Sequence, residues 1–238
     1  MTRGVVRESE RRRARALVRS PWRTLGSATY LFIMVDAVLL EWEGVLADTA
    51  VARREALARA LAEEGVQHDA LRSDRALADL VALRATRAFA ERLGKGFVLL
   101  PGAREFVERV QLGSRVGIVT SASRAETEFV LRLAGLDGAV SIIVSADDAL
   151  DGPPSPAMTD RAAQHLFRLR PLRREHVVAM ASTSPALRAA RAAGVRTIAV
   201  GAPAHVAVDA DGAVSAVDGL VLGDLARLGG LATKERQW

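Results

Sequence analysis

The stretch Val38-Leu39-Leu40-Glu41-Trp42-Glu43-Gly44-Val45-Leu46-Ala47-Asp48-Thr49 constrains the chain most, because an apolar run stops at two acids one residue apart, followed by a glycine. Strands buried on both faces read as continuous apolar runs, and open α/β sheets bind ligands beyond the carboxyl ends of their strands. The pattern therefore predicts a buried strand that delivers Glu41 and Glu43 to a loop where chemistry is normally placed. Trp42, between them, points elsewhere.

Three later segments repeat the theme of a strand running into a polar loop. Arg115-Val116-Gly117-Ile118-Val119-Thr120-Ser121-Ala122-Ser123 is an apolar strand entering hydroxyl residues. After a strand at about 140–144 come Ser145-Ala146-Asp147-Asp148 and Asp151-Gly152-Pro153-Pro154-Ser155-Pro156. Val177-Val178-Ala179-Met180 feeds Ala181-Ser182-Thr183-Ser184-Pro185, and the helix that follows ends at Gly194-Val195.

In this order and spacing the segments resemble the motifs of the haloacid dehalogenase (HAD) superfamily, in its phosphatase and β-phosphoglucomutase-like branch. The family's first motif is Asp-x-Asp-Gly-(Thr/Val)-Leu-x-Asp-Thr, matched here at Gly44, Val45, Leu46, Asp48 and Thr49. The resemblance implies an α/β fold, a Rossmann-like HAD core whose parallel sheet is flanked by helices, with a small helical cap inserted after the first strand. It divides the chain into an Arg-rich extension at 1–33, a core at 34–49 and 97–238, and a cap at 50–96.

The departures from the family fall on its chemistry. Glu41 stands where the resemblance implies an aspartyl nucleophile and Glu43 where it implies the acid/base. Thr120 would bond the transferring phosphoryl group, and the backbone N–H groups of Thr120 to Ser123, Ser121 among them, would help cradle the anion at a helix start. Pro153 takes the place of the family's lysine, which removes a charge and a donor; no nearby lysine replaces it, and whether an arginine reaches in from elsewhere is left open by the sequence. Ala181, Ser182 and Thr183 stand where relatives place the Glu-Asp-Ser that holds magnesium.

Phosphoryl transfer to a carboxylate needs an aligned nucleophile, a cation and a proton donor. Glutamate at 41 adds a methylene, and a displacement of about 1 Å can cost about 100-fold. Each lost electrostatic group typically costs about 100- to 1000-fold. The expectation is a catalytically degenerate protein that acts as a binding or structural subunit, without a cofactor. The rival is a hydrolase, a phosphatase or phosphoglucomutase-like enzyme on a small phosphorylated metabolite. It would use Mg2+ held through Glu41 and Glu43. Under the first reading the two glutamates are remnants that hold a metal weakly or not at all. Asp147 and Asp148 serve either as replacement ligands or in their loop, and His68, His165, His176 and His205 lack ligand-like spacing.

Charge decides what the extension can meet. Residues 1–33 carry eight arginines against Glu8 and Glu10, a net +6 within a total of +5, so the rest of the chain sums to −1. A nucleic-acid surface on the body is not supported, and no specific nucleic-acid partner is expected. Three readings of 1–33 stand: a solvated extension, or one lying upstream of a start at Met34; a docking arm for an acidic protein or an anionic membrane-associated complex; and a nucleic-acid arm. As a docking arm it would use Arg11, Arg12, Arg13, Arg15, Arg19 and Arg23 for charge and Trp22, Tyr30 and Phe32 as anchors. No run of about 18 apolar residues is present, so no transmembrane segment is expected. The chain has no cysteine, which suits a cytoplasmic protein, with the membrane periphery as the alternative if the arm docks there.

Periodicity fills in the remainder. Helices are expected from Ala50 to Leu61, stopping at Gly65, then two more between His68 and Leu93, and others at about 103–111, 124–133 and 160–168. Strands are expected at 197–200 and at about 219–222, with an Asp-Gly turn at Asp211-Gly212.

Overall fold

A computed structural model describes residues 30–32, 35–97, 99–169, 171–231 and 234–236. The docking residues Arg11, Arg12, Arg13, Arg15, Arg19, Trp22 and Arg23 lie outside them. The chain divides into two units, residues 1–32 with 233–238, and residues 33–232. In the first unit, strands β1 (Tyr30–Phe32) and β8 (Lys234–Arg236) form an antiparallel pair.

The second unit is built on a six-stranded sheet. Its strands are β2 (Ala37–Leu40), β3 (Arg115–Val119), β4 (Ile142–Val144), β5 (Val177–Ala181), β6 (Arg196–Val200) and β7 (Gly212–Val214), in the order β4-β3-β2-β5-β6-β7. Every neighbouring pair is parallel. β2 pairs with β3 on one side and β5 on the other, so it lies where the winding reverses, the place at which such sheets open a crevice.

The helices are α1 (Ala50–Glu64), α2 (Arg75–Gly94), α3 (Ala103–Val110), α4 (Arg124–Ala134), α5 (Pro156–Leu169), α6 (Ser184–Ala192), α7 (Ala204–Ala207) and α8 (Leu222–Leu228). The alternation of side chains along a strand sends them to opposite faces of the sheet. Val38, Leu40, Val116, Ile118 and Met180 pack under α3 and α4 with Phe106, Val110 and Leu131. Ala37, Leu39, Val177 and Ala179 meet Met158, Ala162 and Leu166 of α5 and Ala190 of α6. With both faces covered, β2 is buried along its whole length, as its apolar run requires. A fully buried Phe106 or Ile118 contributes about 1.5–3 kcal/mol.

α1 and α2 form an antiparallel-type helical pair whose contact is made by small and apolar positions. α1 buries Ala52, Ala56 and Ala60, four residues apart on one stripe, while α2 buries Val81, Ala88, Phe89 and Leu93. The rim carries exposed ion pairs, Arg59–Glu91 at 3.1 Å, Arg84–Glu63 at 3.3 Å and Arg92–Glu55 at 3.4 Å, which water screens.

Some local expectations are corrected. Between His68 and Leu93 there is one long helix, preceded by a 3-10 turn at His68–Arg72, because the Asp74 side chain caps α2 by accepting the Leu77 N–H at 3.0 Å. Asp211-Gly212 is no hairpin turn. The Asp211 carboxylate accepts the Thr197 N–H at 2.8 Å and its hydroxyl at 3.0 Å, which sets β7 beside β6 in parallel. Residues 219–222 are not a strand, since Asp224 accepts the Val221 N–H at 3.1 Å and starts α8 at Leu222.

Candidate active site

Glu41 leaves the end of β2 with its own N–H bonded to the Met180 carbonyl at 2.9 Å, which keeps the loop attached to β5. Gly44 then turns the chain at φ 73°. A Cβ at that position would stand 2.4 Å from Ser182 Oγ, so the turn requires glycine twice over, for its dihedral and for the closeness of Ser182. Trp42 points into the core, buried and stacked on Phe97 at 6.1 Å.

The Glu41 carboxylate is held from β5. Its Oε2 accepts the Ser182 N–H at 2.8 Å and lies 3.2 Å from Ser182 Oγ, while its Oε1 accepts from Thr183 Oγ1 at 3.2 Å. Ser182 Oγ also lies 3.0 Å from the Glu43 carbonyl. Burial pushes the Glu41 carboxyl above its ordinary range; hydrogen bonds from Ser182 and Thr183 oppose the rise and the neighbouring Glu43 charge adds to it.

Glu43 faces a different set of donors. Its Oε2 accepts the Thr49 N–H at 3.0 Å, and its Oε1 accepts the Thr49 hydroxyl and pairs with Arg53 Nη2 at 3.1 Å. Thr49 stands at the N-cap of α1 yet makes no side-chain cap, because its hydroxyl is spent on Glu43. Arg53, on the first turn of α1, reaches further. Its Nε lies 3.5 Å from Glu126 Oε2, and its guanidinium sits 5.6 Å over the Phe89 ring. The arginine that comes to these acids from elsewhere thus lands on Glu43 and Glu126. The sequence offered one signal for it, a cation four residues after Thr49.

The expected anion cradle is filled in part from within, at Thr120, Ala122 and Ser123. Thr120 is buried, and its Oγ1 accepts the Ala122 N–H at 3.1 Å. The Ser123 N–H donates to Glu126 at 3.4 Å within a capping box, and the Arg124 N–H donates to Asp147 at 2.7 Å. Asp148 accepts from the Ser145 N–H at 3.0 Å and pairs with Arg124 at 2.7 Å, so both aspartates serve their loop. Glu41, Thr120 and Ser121 line one pocket together, with Pro154 and Ser155 on its wall. Pro153 itself is exposed.

The family model for haloacid dehalogenase-like hydrolases matches residues 42–200. The chain belongs to the haloacid dehalogenase-like hydrolase family. No curated protein matches it by sequence. Among solved structures it is similar to CbbY from Rhodobacter sphaeroides in complex with phosphate, at TM-score 0.67 and 22% identity over 79% of this chain and 96% of that one. It is also similar to β-phosphoglucomutase from Clostridium difficile, at TM-score 0.67 and 16% identity over 83% and 98%. A hydrolase from Pseudomonas syringae gives TM-score 0.64 and 20% identity over 83% and 100%. These likenesses are likenesses of fold, and they agree with the parallel sheet and flanking helices of the haloacid dehalogenase-like architecture.

Magnesium, which the haloacid dehalogenase resemblance implies for an active member, does not fit the residues present. Three of the four acceptor positions on each of Glu41 and Glu43 are taken by Ser182, Thr183, Thr49 and Arg53. Position 182 offers a hydroxyl that sits on Glu41, and Arg53 already supplies Glu43 with a positive charge. Among the described residues no three His, Asp or Glu side chains converge as a ligand set. No helix among the described residues is long and apolar enough to cross a membrane.

Proposed function

We propose that this chain is a haloacid dehalogenase-like protein that works by binding instead of turnover, a catalytically degenerate subunit attached through its basic N-terminal arm to an acidic partner or an anionic membrane-associated complex. The observation that carries the first half is the hydrogen-bond set of Glu41, which takes three of its four acceptor positions. A nucleophile must present a free oxygen to phosphorus, whereas both oxygens here are drawn toward Ser182 and Thr183. The cradle amide of Ser123 and the neighbouring N–H of Arg124 are turned onto carboxylates, which repel a phosphate arriving there. The arm reading rests on charge: a net +6 within residues 1–33 against a body of −1. In this reading α1 and α2 form the cap, and residues 50–96 interrupt the core.

A second reading, a phosphatase or phosphoglucomutase-like hydrolase of a small phosphorylated metabolite, is favoured by one observation: Glu41 and Thr120 line the same pocket. One assay separates the two. Full-length protein with Mg2+ and a panel of phosphate esters is expected to show no turnover that Glu41→Gln abolishes; a clear rate lost in that variant establishes the hydrolase. For the arm, deletion of residues 1–33 is expected to remove a co-purifying partner or membrane association, and unchanged association refutes docking.

A further inference from the structure

The last turns of α5 carry a groove at the other end of the sheet from Glu41. Residues 160, 163, 164, 167 and 168 recur at helical spacing on one face of α5. The helix ends at Leu169, two residues before Pro171, and Leu172 then packs on the apolar cluster of Ala37, Leu166 and Val177, where β2 and β5 begin. Between that face of α5 and Leu172 and Arg174 lies a space of about 450 Å³, within the range of about 300–1,000 Å³ that binding pockets occupy. Phe167 lines it and is 54% exposed, and of the described aromatic side chains it alone is exposed. Leu169 beside it is exposed as well, so the helix end offers water an apolar surface larger than one side chain.

The charges of the lining select what can dock there. Arg168 and Arg174 line the groove and no Asp or Glu does. Arg174 is fixed in place, since it pairs with Asp160 and its Nη1 donates to the Ala193 carbonyl at 2.7 Å. Asp160 also accepts from Gln164 Nε2 at 2.6 Å, so the acid on this face of α5 is already matched. Arg168 is exposed and, among the described residues, has no carboxylate partner. One uncommitted guanidinium beside an apolar surface matches a carboxylate next to a large apolar side chain. A nucleic acid asks for several uncommitted cations, whereas Arg161 and Arg173 lie within 3.7 Å of Asp148 and 3.9 Å of Asp36. The chain's own arm, at +6, is repelled, and a twofold contact of groove on groove would set the arginines of two copies against each other.

We propose that this groove docks a linear segment of an acidic protein, a large apolar side chain settling against Phe167 and Leu172 while a neighbouring carboxylate pairs with Arg168. The groove is a contact on the body of the molecule, separate from the arm. It goes beyond the reading above and does not rest on it, since a working hydrolase would carry the same groove.

The test uses full-length protein and backbone amide NMR, with the acetylated and amidated pentapeptide Glu-Asp-Leu-Phe-Glu as probe. The probe is expected to move the signals of Ala163, Gln164, Phe167 and Leu172 in a saturable way with a millimolar dissociation constant, as suits one anchoring side chain and one ion pair. Glu-Asp-Ser-Ser-Glu, which keeps the charge and lacks the anchor, is expected to leave these signals in place, and Gln-Gln-Leu-Phe-Gln to bind about fivefold more weakly than the probe. Phe167→Ala and Arg168→Glu, both at exposed positions, are each expected to weaken the probe about tenfold. Groove signals that answer the serine peptide or single-stranded DNA as strongly as the probe overturn the inference. So do groove signals that shift when the protein alone is diluted, which would assign the groove to a second copy, signals that the probe leaves unmoved, and binding indifferent to either variant. Signals from residues 1–33 report on the arm by themselves, so failure of the groove and failure of the arm are told apart.

Discussion

Ser182 donates its backbone N–H to Glu41 Oε2 at 2.8 Å and holds its hydroxyl 3.2 Å from the same oxygen, so the end of β5 binds the carboxylate that β2 delivers. The residue that the family resemblance would make a metal-holding acid is here a donor to its neighbour. Charge has been replaced by a hydrogen bond.

That exchange predicts the behaviour of Ser182→Asp. A third carboxylate beside Glu41 and Glu43 repels both, so the variant is expected to melt below the parent in the absence of divalent ions. Millimolar Mg2+ should then restore it, by about 1.4 kcal/mol at a tenfold excess over the dissociation constant, while leaving the parent unmoved. Thermal unfolding with and without Mg2+ checks this; a parent that gains as much as the variant contradicts the site described.

Glu41 predicts a pH dependence. Its carboxyl is raised in the folded state, chiefly by burial, so the fold binds more protons there than the unfolded chain. The contribution is fully present below the ordinary glutamate range and is lost as pH rises through the higher folded value. Relative to Glu41→Gln, the parent should therefore lose stability across that window on going from acid toward neutral. Denaturant unfolding of the two proteins at several pH values measures it, and a constant difference contradicts it.

Arg53→Ala leaves Glu43 and Glu126 without their shared cation and strips the face of Phe89. The groups are partly exposed, so the expected cost is about 1–3 kcal/mol of stability in denaturant unfolding. Arg53→Lys should recover only part of that loss, because an ammonium is a point charge and cannot span both acids.

Gly44→Ala should cost about 2 kcal/mol, from the left-handed dihedral together with the push on Ser182. Its melting temperature is the readout. The same substitution at Gly65, which is also left-handed but has no atom near a Cβ, should cost less.

The sheet was legible because three of its strands are apolar runs that end in a polar loop residue: Leu40 into Glu41, Val119 into Thr120, Ala181 into Ser182. The C-terminal third was less so. Asp211-Gly212 carries the letters of a hairpin turn, yet the Asp211 side chain binds Thr197, fourteen residues back, and no local pattern encodes that partner. The site divided in the same way. Glu41 and Thr120 were readable from position along the motifs and do share a pocket. Arg53 was not, because its role depends on Glu126, a residue 73 positions away that only the fold brings to it.

One guanidinium touches the β2 loop, the start of α4 and a ring on α2. Parting the α1–α2 hairpin from the sheet would break the two contacts to Glu43 and Glu126 together, while the ring of Phe89 travels with Arg53. The same side chain is therefore braced by its own hairpin while it ties that hairpin to the core.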